Sequence, residues 1–427
     1  MRKFALYGVS GLAAALAALS ALPASAASVA DFYKGKTIKF IISSSPGGGY
    51  DAYGRTLTRH LGRHIPGNPR FVPQNMPGAG GIKAANFLFN VAPKDGSVFG
   101  GVHRGIAMEP LFGNKQAKYQ ANEFNWLGSV NNEVSVCVSW GTVPVKTIQD
   151  AFKTELIIGG SGANDTEAFP AVLNNVIGTK FKIISGYPSG TAVNLAMERR
   201  EVDGRCGWSW SSVKTQKSDW IKNKTVNILL QMSLAKHPEL PDVPLVMDFA
   251  KSDADKEVLK LVFARQVMGR PYLAPPGIPP ERVAALRAAF DATMKDPKFI
   301  ADIKKQKLEL APVSGTEIQK LVARIYATPK SVIARTEDAY KYRGPVVKVK
   351  VELVKHKGTI TETKKGGRRL SLKLGDGKVV KTKVSGSRTA VVIGGKKDKR
   401  KNIKVGMVCE FTYPGPGQEA KKVDCAK

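Results

Sequence analysis

Before about residue 340, short apolar runs end in loops rich in glycine and hydroxyl residues, and helical periodicity follows each loop. The run Thr37–Ile42 predicts a buried strand and leads into the loop Ser43–Gly49. Apolar residues then recur four apart, as on one face of a helix, with Asp51 as its expected N-cap. These apolar positions are Leu57, Leu61 and Ile65.

The same order of strand, loop and helix recurs further along the chain. Glu155–Ile158 leads into Gly159–Gly162, and Ile183–Ile184 leads into Gly186–Thr191. Because repetition of this order is typical of α/β domains, the larger part of the chain is predicted to have an α/β fold.

After about residue 340 the apolar residues occur at every second position, as they do in a half-buried β-strand. Val347–Leu353 alternates apolar and charged residues, and Leu370, Leu372 and Leu374 repeat the alternation. Gly375–Gly377 then supplies a hairpin turn. Residues 341–427 are therefore predicted to form a small, mostly β domain, such as a barrel.

Charge is concentrated in this last part of the chain. The whole chain has 66 Lys+Arg against 35 Asp+Glu, a net charge of +31, and residues 341–427 hold 24 basic and 7 acidic side chains. Uniform coating of nucleic acid is therefore disfavoured. The basic patches of the tail predict adhesion to an anionic envelope surface or another polyanion, and a merely solvated surface is the alternative. The patches are Lys364–Lys365, Arg368–Arg369 and Lys396–Lys401.

The N-terminus has the pattern of an export signal. Arg2 and Lys3 precede a long uncharged run that ends in Pro23–Ala26, an A-x-A cleavage site. Residues 1–26 are therefore predicted to be a signal peptide, cleaved near Ala26, and the mature protein is expected outside the cytoplasm. The apolar core within this run is short and interrupted by glycine and proline, which disfavours a membrane anchor.

An oxidising compartment favours disulfides between the four cysteines. Of the three possible connectivities we predict Cys137–Cys206 and Cys409–Cys425, because each pair then closes within one domain. Clustered ligands such as C-x-x-C are absent from the sequence, so neither a metal nor a cofactor is expected.

Enzyme motifs are incomplete. Gly159–Ala163 has alanine where the nucleophile elbow needs its second glycine, and Pro46–Gly49 lacks the Gly-Lys-Ser/Thr of a phosphate-binding loop. With no convincing pair of general acid and base, we expect a protein that is not an enzyme. Glycine loops between strands and helices instead direct backbone N–H groups and helix N-termini at a carboxylate or phosphate.

Five segments occur in the order and approximate spacing of one known family. They are Ser45–Asp51, Asn75–Gly81, Gly160–Gly162, Gly186–Gly190 and Ala274–Pro279. On these segments the chain resembles the periplasmic solute receptors of the tripartite tricarboxylate transporter family, the Bug or TctC-like proteins. The resemblance covers about residues 30–335 and leaves out the basic tail.

The resemblance implies a type II periplasmic binding-protein fold, with two α/β lobes around a cleft, in residues 27–340. Lobe one would comprise about 27–133 and 265–340, and lobe two about 134–264. Such a receptor, usually a monomer, captures a small organic acid and delivers it to membrane transporter subunits. The acid would be a di- or tricarboxylate or an aromatic acid. The alternative function is a polyanion-binding surface or scaffold protein that uses the basic C-terminal domain.

Family ligands are held by backbone amides and hydroxyls more than by arginines. Carried over to this sequence, the ligand-binding positions of lobe one are Ser45, Gly48, Gly49 and Asp51, with Asn75 and Gly80 in support. Those of lobe two are Ser161, Gly162, Ser189 and Thr191. The carboxylate of Asp51 would repel an acid, so we expect it mainly to cap and orient its helix, with a contact to a ligand amine or hydroxyl as the second possibility.

Two further segments leave alternatives open. Cys206–Trp210 either narrows the cleft, where it would stack on an aromatic acid, or belongs to the core of lobe two. His103–Gly105 either brings a cation near the cleft mouth or forms an exposed loop.

Overall fold

The structure, a computed structural model, describes residues 28–162, 164–345, 347–348, 353–386 and 389–426. The predicted signal peptide lies outside these residues, as does most of the strand predicted over Val347–Leu353. The chain divides into two compact units between Lys348 and Val349. The division therefore falls later than the boundary expected near residue 340.

Twelve strands are described in the first unit. They are β1 (Thr37–Ile42), β2 (Arg70–Asn75), β3 (Val98–Gly101), β4 (Asn125–Ser129), β5 (Ser135–Trp140), β6 (Leu156–Gly159), β7 (Phe181–Ser185), β8 (Gly204–Ser209), β9 (Val226–Met232), β10 (Pro271–Ala274), β11 (Val313–Ser314) and β12 (Val347–Lys348).

Most of the α-helices described in this unit lie between successive strands or in pairs between them. They are α1 (Val29–Tyr33), α2 (Gly49–His60), α3 (Ile82–Asn90), α4 (Ile148–Lys153), α5 (Asp165–Val176), α6 (Gly190–Glu198), α7 (Trp210–Gln216), α8 (Ser218–Lys222), α9 (Asp253–Phe263), α10 (Pro280–Lys295), α11 (Pro297–Lys305), α12 (Gly315–Tyr326) and α13 (Lys330–Ala339).

The first sheet has the strand order β11-β4-β10-β3-β1-β2. Strand β1 is parallel to β2 and β3, and β10 is antiparallel to β3 and β4. Side chains of β1 alternate between two cores: Phe40 packs with residues of α2, α10 and α11, and Ile41 packs with residues of α3 and α12. The sheet therefore has helices on both faces, as the α/β prediction requires.

The second sheet has the order β12-β7-β6-β8-β5-β9. Strand β6 is parallel to β7 and β8, while β5 is antiparallel to β8 and β9. Its larger core includes Ile158, Phe169 and Phe263, contributed by β6, α5 and α9. The two sheets correspond to two lobes, and the predicted fold class is confirmed.

The chain passes between the lobes in two adjacent segments. It leaves the first sheet after Ser129, begins the second at Ser135 and returns before Pro271. The amide of Glu133 donates to the carbonyl of Gln266 at 2.8 Å. These crossing segments therefore lie side by side, in the arrangement of a hinge.

Helix α13 corrects the expectation that all of residues 265–340 belong to lobe one. Val332 and Ile333 pack against the core of α3 and α12, while Ala339 and Tyr340 pack against the core of α5 and α9. The helix therefore contacts both lobes, because its apolar residues face two different cores.

The second unit has seven described strands in the order β15-β14-β13-β18-β19-β16-β17. The turn predicted at Gly375–Gly377 joins β14 to β15. One face packs a core that includes Ile360, Leu372, Phe411 and Val423. The strands are β13 (Val354–Lys364), β14 (Arg369–Leu374), β15 (Val379–Lys383), β16 (Ala390–Ile393), β17 (Lys396–Lys397), β18 (Val408–Tyr413) and β19 (Lys422–Cys425).

Both predicted disulfides are present. Cys137 is bonded to Cys206 between β5 and β8, and Cys409 is bonded to Cys425 between β18 and β19. Each bond joins neighbouring strands of one sheet and is buried in the core of its own unit. Over the described ranges, no helix combines the length and apolarity needed to cross a bilayer.

We expect the double substitution Cys409→Ala, Cys425→Ala to destabilise the second unit by about 3 kcal/mol, because the bond closes a loop of 16 residues. All five tryptophans lie between Trp126 and Trp220, in the first unit. The urea transition followed by far-UV circular dichroism should therefore shift, while the tryptophan fluorescence transition stays in place. Equal shifts of both signals, or none, would contradict the prediction.

Candidate functional site

The carboxyl ends of the parallel strands carry the loops that the sequence singled out. Ser43–Gly48 follows β1, Met76–Gly78 follows β2, Gly160–Gly162 follows β6 and Gly186–Ser189 follows β7. In open α/β sheets this edge is the usual place for ligands. The candidate site is therefore the region where these ends of the two sheets approach each other.

Asp51 orients the first loop, although not as the N-cap. Helix α2 begins at Gly49 with the extended Gly48 as its N-cap, so the expectation of Asp51 in that position is wrong. From the first turn its carboxylate reaches back and accepts from the amide of Gly47 at 2.9 Å. The other carboxylate oxygen accepts from Arg55 and from Asn75. Asp51 is thus occupied within lobe one.

Asn75 is placed beside this loop by strand register. Ile42 of β1 is opposite Asn75 of β2, so the amide side chain reaches the carbonyl of Ser44 at 2.9 Å. The buried hydroxyl oxygens of Ser43 and Ser44 have no hydrogen-bond partner. Ser45 follows them, half-buried. This end of the loop therefore offers polar atoms that the protein does not use.

Gly49 is a point where lobe one approaches lobe two closely. A Cβ added there would lie 2.7 Å from Oγ of Ser212 and 3.2 Å from a guanidinium nitrogen of Arg270. A side chain at this position would therefore displace the Ser212 hydroxyl of α7. Gly48, by contrast, has space around it, with the nearest atom to an added Cβ at 3.9 Å.

The second loop of lobe one contacts a half-buried histidine. The Gly80 carbonyl accepts from Nδ1 of His103 at 2.8 Å, and the His103 ring lies 4.4 Å from that of Tyr50. Burial lowers the pKa of His103 to about 4; Asp165 opposes this shift, and nearby arginines add to it. The imidazole is therefore neutral at neutral pH.

Ser161 and Gly162 direct their amides inward to their own lobe. The Ser161 amide donates to Oγ1 of Thr166 at 2.9 Å, and the Gly162 amide donates to Oε1 of Glu167 at 2.6 Å. Both acceptors lie in the first turn of α5. These two amides already have partners, so the expectation that they are free ligand donors is not met in this structure.

Ser189 and Thr191 lie at the start of α6. Ser189 is the N-cap, and its hydroxyl accepts from the amide of Ala192, while Thr191 is exposed. A helix makes no use of its own first amides, so those of Gly190 and Thr191 have no acceptor within α6. This loop meets the preceding one where the Tyr187 amide donates to the Gly160 carbonyl at 3.2 Å.

Arg104 connects the two lobes. Its Nε donates to Oδ2 of Asp165 at 2.7 Å, and the other guanidinium nitrogens donate to Ser135 and Ser209. The side chain is only 2 % exposed. His103–Gly105 is therefore neither an exposed loop nor a source of free charge at a cleft mouth, since the charge is neutralised by a carboxylate of lobe two.

Asp165 also receives the second buried arginine of this junction. Arg265 donates to its Oδ1 at 3.2 Å and to the hydroxyl of Tyr340. Burial favours the neutral acid, but Arg104 and Arg265 outweigh it and hold the pKa of Asp165 below its usual range. Asp165 is therefore an anion shared by two guanidinium groups.

Arg270 is the third buried arginine of this region, and it pairs with Glu133 at the hinge. Its Nη2 lies 3.1 Å from Oε2 of Glu133 and donates to Ser211 and Ser212. Its guanidinium group lies over the ring of Tyr50 at 4.8 Å. Glu133 and Arg270 belong to the two crossing segments, so this pair holds the hinge together.

The aromatic stretch Cys206–Trp210 belongs to the interior of lobe two. Trp208 is buried and packs edge-to-face on Trp220 at 6.0 Å, and Trp210 donates to Glu239. The alternative of a stacking surface for an aromatic acid is therefore not supported. In the described ranges, no cluster of His, Cys, Asp and Glu has the arrangement of a metal site.

Sequence reasoning missed Asp165, Glu133 and Arg270, and it left Arg104 undecided. Their partners lie far away in the chain, and no local motif marks them. The available signal was the occurrence of single charged residues within apolar or hydroxyl-rich stretches, such as Arg270 between Gly269 and Pro271.

Neither protein-family models nor curated proteins match the chain. Solved structures, however, do match the chain. A TctC solute binding protein from Polaromonas is 20 % identical, with a TM-score of 0.51 over 71 % of this chain and 99 % of that one. The periplasmic binding protein BugD is 19 % identical, with a TM-score of 0.55 over 74 % of this chain and all of that one.

A third similar structure contains a ligand. MatC from Rhodopseudomonas palustris with bound malate is 18 % identical, with a TM-score of 0.54 over 72 % of this chain and 99 % of that one. At these identities the likeness establishes the fold alone: the first unit shares the two-lobe α/β fold of these solved structures. The resemblance inferred from the five segments thus agrees with the structural neighbours.

We expect Asp165→Asn to lower the free energy of unfolding by about 3–5 kcal/mol, because it leaves two buried guanidinium groups without a counter-charge. Asp203→Asn is the matched control, since Asp203 is partly exposed and 3.9 Å from Arg200. Its effect should stay within about 1 kcal/mol. Urea denaturation followed by tryptophan fluorescence measures both. Equal effects of the two substitutions would contradict the prediction.

Proposed function

We propose that the first unit is an extracytoplasmic solute receptor. It binds a small carboxylate between its two lobes and delivers it to the membrane subunits of a tripartite tricarboxylate-type transporter. Binding consists of reversible closure around the hinge, without covalent chemistry. As a monomer exported to the periplasm after cleavage near Ala26, the receptor would meet its solute outside the inner membrane.

The observation that carries this proposal is the contact between the loops of the two lobes. Gly49 lies against Ser212 of lobe two and Arg270 of the hinge, and Arg104 joins the loop after β3 to Asp165 beside the Gly160 loop. Two helix N-termini, those of α2 and α6, belong to these loops. Each end contributes only about 0.3–1 kcal/mol to anion binding, so their convergence matters.

The proposed ligand contacts divide into two groups. Direct contacts come from the loop around Ser45, Gly48 and Gly49 and from the start of α6 at Ser189 and Thr191. The other positions act in support. Asp51 and Asn75 hold the first loop, Gly80 holds His103, and Ser161 and Gly162 hold the first turn of α5.

The nature of the ligand is suggested by chemistry and by the neighbours. Amides and hydroxyls without partners suit carboxylate oxygens, since each N–H or O–H donates to an anionic acceptor. MatC, which shares the fold, was solved with malate, a dicarboxylate. We therefore assign a small dicarboxylate as the first candidate for this chain.

A panel of millimolar carboxylates, including malate and succinate, should raise the melting temperature of the protein when its ligand is present. A ligand at 100 times its Kd adds about 2.7 kcal/mol of stability. Gly49→Ala should weaken binding severalfold, because the added Cβ meets Oγ of Ser212 and displaces that hydroxyl from the contact between the lobes.

Gly375→Ala is the control for this substitution, since nothing lies within 4 Å of an added Cβ there. It should bind like the wild type. A panel without any thermal shift would refute the receptor, and unchanged binding by Gly49→Ala would refute the proposed site.

A second function, adhesion to polyanions, is favoured by one feature of the second unit. Arg369 of β14 is directly opposite Lys383 of β15, and Ser371 is opposite Lys381. The three cations are exposed, and like charges facing each other across strands are unfavourable. A bound polyanion would relieve this repulsion. We call Arg369, Lys381 and Lys383 the basic strip.

We expect replacement of the basic strip by glutamine to lower the salt concentration at which the protein elutes from heparin resin. Replacing three exposed lysines of the first unit removes the same charge and should have a smaller effect. These control lysines are Lys298, Lys304 and Lys305. Equal effects of the two triple substitutions would show that net charge alone governs retention, which contradicts a dedicated surface.

A further inference from the structure

Arg205 differs from the other buried arginines of the described residues. Arg104, Arg265 and Arg270 each contact a carboxylate. Arg205 lies on β8, is buried, and forms no ion pair with the described residues. Its Nη1 donates instead to two neutral acceptors, the Gly190 carbonyl at 3.0 Å and Oδ1 of Asn194 at 2.7 Å.

Two donors next to each other lack an acceptor. Nε of Arg205 and Nε1 of Trp208 are buried without a hydrogen-bond partner, and the guanidinium group lies over the Trp208 ring at 4.6 Å. A buried charge without a counter-charge costs several kcal/mol, so proteins rarely retain one without a use for it. Burial lowers the pKa of Arg205 to about 9, which reflects this uncompensated state.

The guanidinium group lies at the start of α6. A Cβ at Gly190 would collide with Nη2 of Arg205, so glycine at the first position of the helix makes room for this charge. Helix α6 runs from Gly190 to Glu198, and its first amides have no acceptor within the helix. A positive helix end and an uncompensated cation thus coincide at one place.

We propose that Arg205 and the start of α6 form a subsite for one carboxylate of a dianionic ligand, and that Arg205 determines the preference for dicarboxylates over monocarboxylates. The proposal rests on the proposed receptor function and makes it more specific. An anionic oxygen at this subsite supplies the counter-charge that Arg205 lacks among the described residues. A monocarboxylate held only by lobe one leaves Arg205 uncompensated and gains nothing from it.

The test uses the full-length protein and calorimetric titration with two pairs of acids of equal length, succinate with butyrate and adipate with hexanoate. Wild-type protein should bind the dicarboxylate of a pair more tightly. Arg205→Met should weaken binding of the dicarboxylate by about 10- to 100-fold, as expected for loss of a charged hydrogen bond, and that of the monocarboxylate by less than about threefold.

Arg199→Gln is the matched control. Arg199 caps the other end of α6, is 65 % exposed and carries the same charge, so its removal should leave both affinities unchanged. Gly190→Ala is the second variant: it keeps Arg205 but displaces its guanidinium group. It should lose the dicarboxylate preference as well, and it decides the question if Arg205→Met does not fold.

The outcomes separate the two proposals. If wild-type protein binds none of the four acids or other carboxylates, the receptor function fails and the subsite with it. If wild-type protein binds but Arg205→Met and Gly190→Ala keep its preference, the receptor stands and the subsite is wrong. Equal losses for both members of a pair, or equal losses in Arg199→Gln, also overturn the subsite.

Discussion

The relation of the two lobes depends on the neutralisation of guanidinium groups that have been removed from water. Arg104 and Arg265 share the carboxylate of Asp165, and Arg270 pairs with Glu133. A buried charge is tolerated only where its partner is in place, because the cost of desolvation is several kcal/mol for each ion. The positions of the loops that follow β3 and β6 are therefore tied to each other.

The Glu133–Arg270 pair lies at the hinge, and the two pairs that share Asp165 lie at the junction between the lobes. Glu133 and Arg270 lie on the crossing segments, so that pair joins the two connections between the lobes. Arg104 and Asp165 lie on different lobes, and their contact reports on the distance between them. Helix α13 adds a third connection, which limits the directions in which the lobes can move.

The second unit is stabilised in a different way from the first. Its core is small, and the Cys409–Cys425 bond supports it, as is common where a short chain cannot bury much apolar surface. Its exposed positions carry cations in register on neighbouring strands, with Arg369 opposite Lys383. Like charges in this arrangement repel each other, so these positions do not contribute to the stability of the unit.

The local pattern of apolar and polar residues was sufficient to locate several strands and the glycine loops. Alternation and helical periodicity located β1, the hairpin of β14 and β15, and the glycine loops, because these depend on neighbours in the chain. The N-cap of α2 was misplaced by three residues, from Gly48 to Asp51, since both residue types cap helices and only the observed backbone distinguishes them. Both cysteine pairings followed from domain membership alone.

The sequence by itself thus determined the α/β character, the β unit, the disulfides and the glycine loops at the carboxyl ends of the strands. Only the tertiary structure decided which polar groups are free for a ligand. The amides of Ser161 and Gly162 are occupied by Thr166 and Glu167, whereas Arg205 keeps unused donors. The physical reason is that hydrogen-bond and charge compensation depend on groups brought together by packing, and their distances along the chain carry no signal of that encounter.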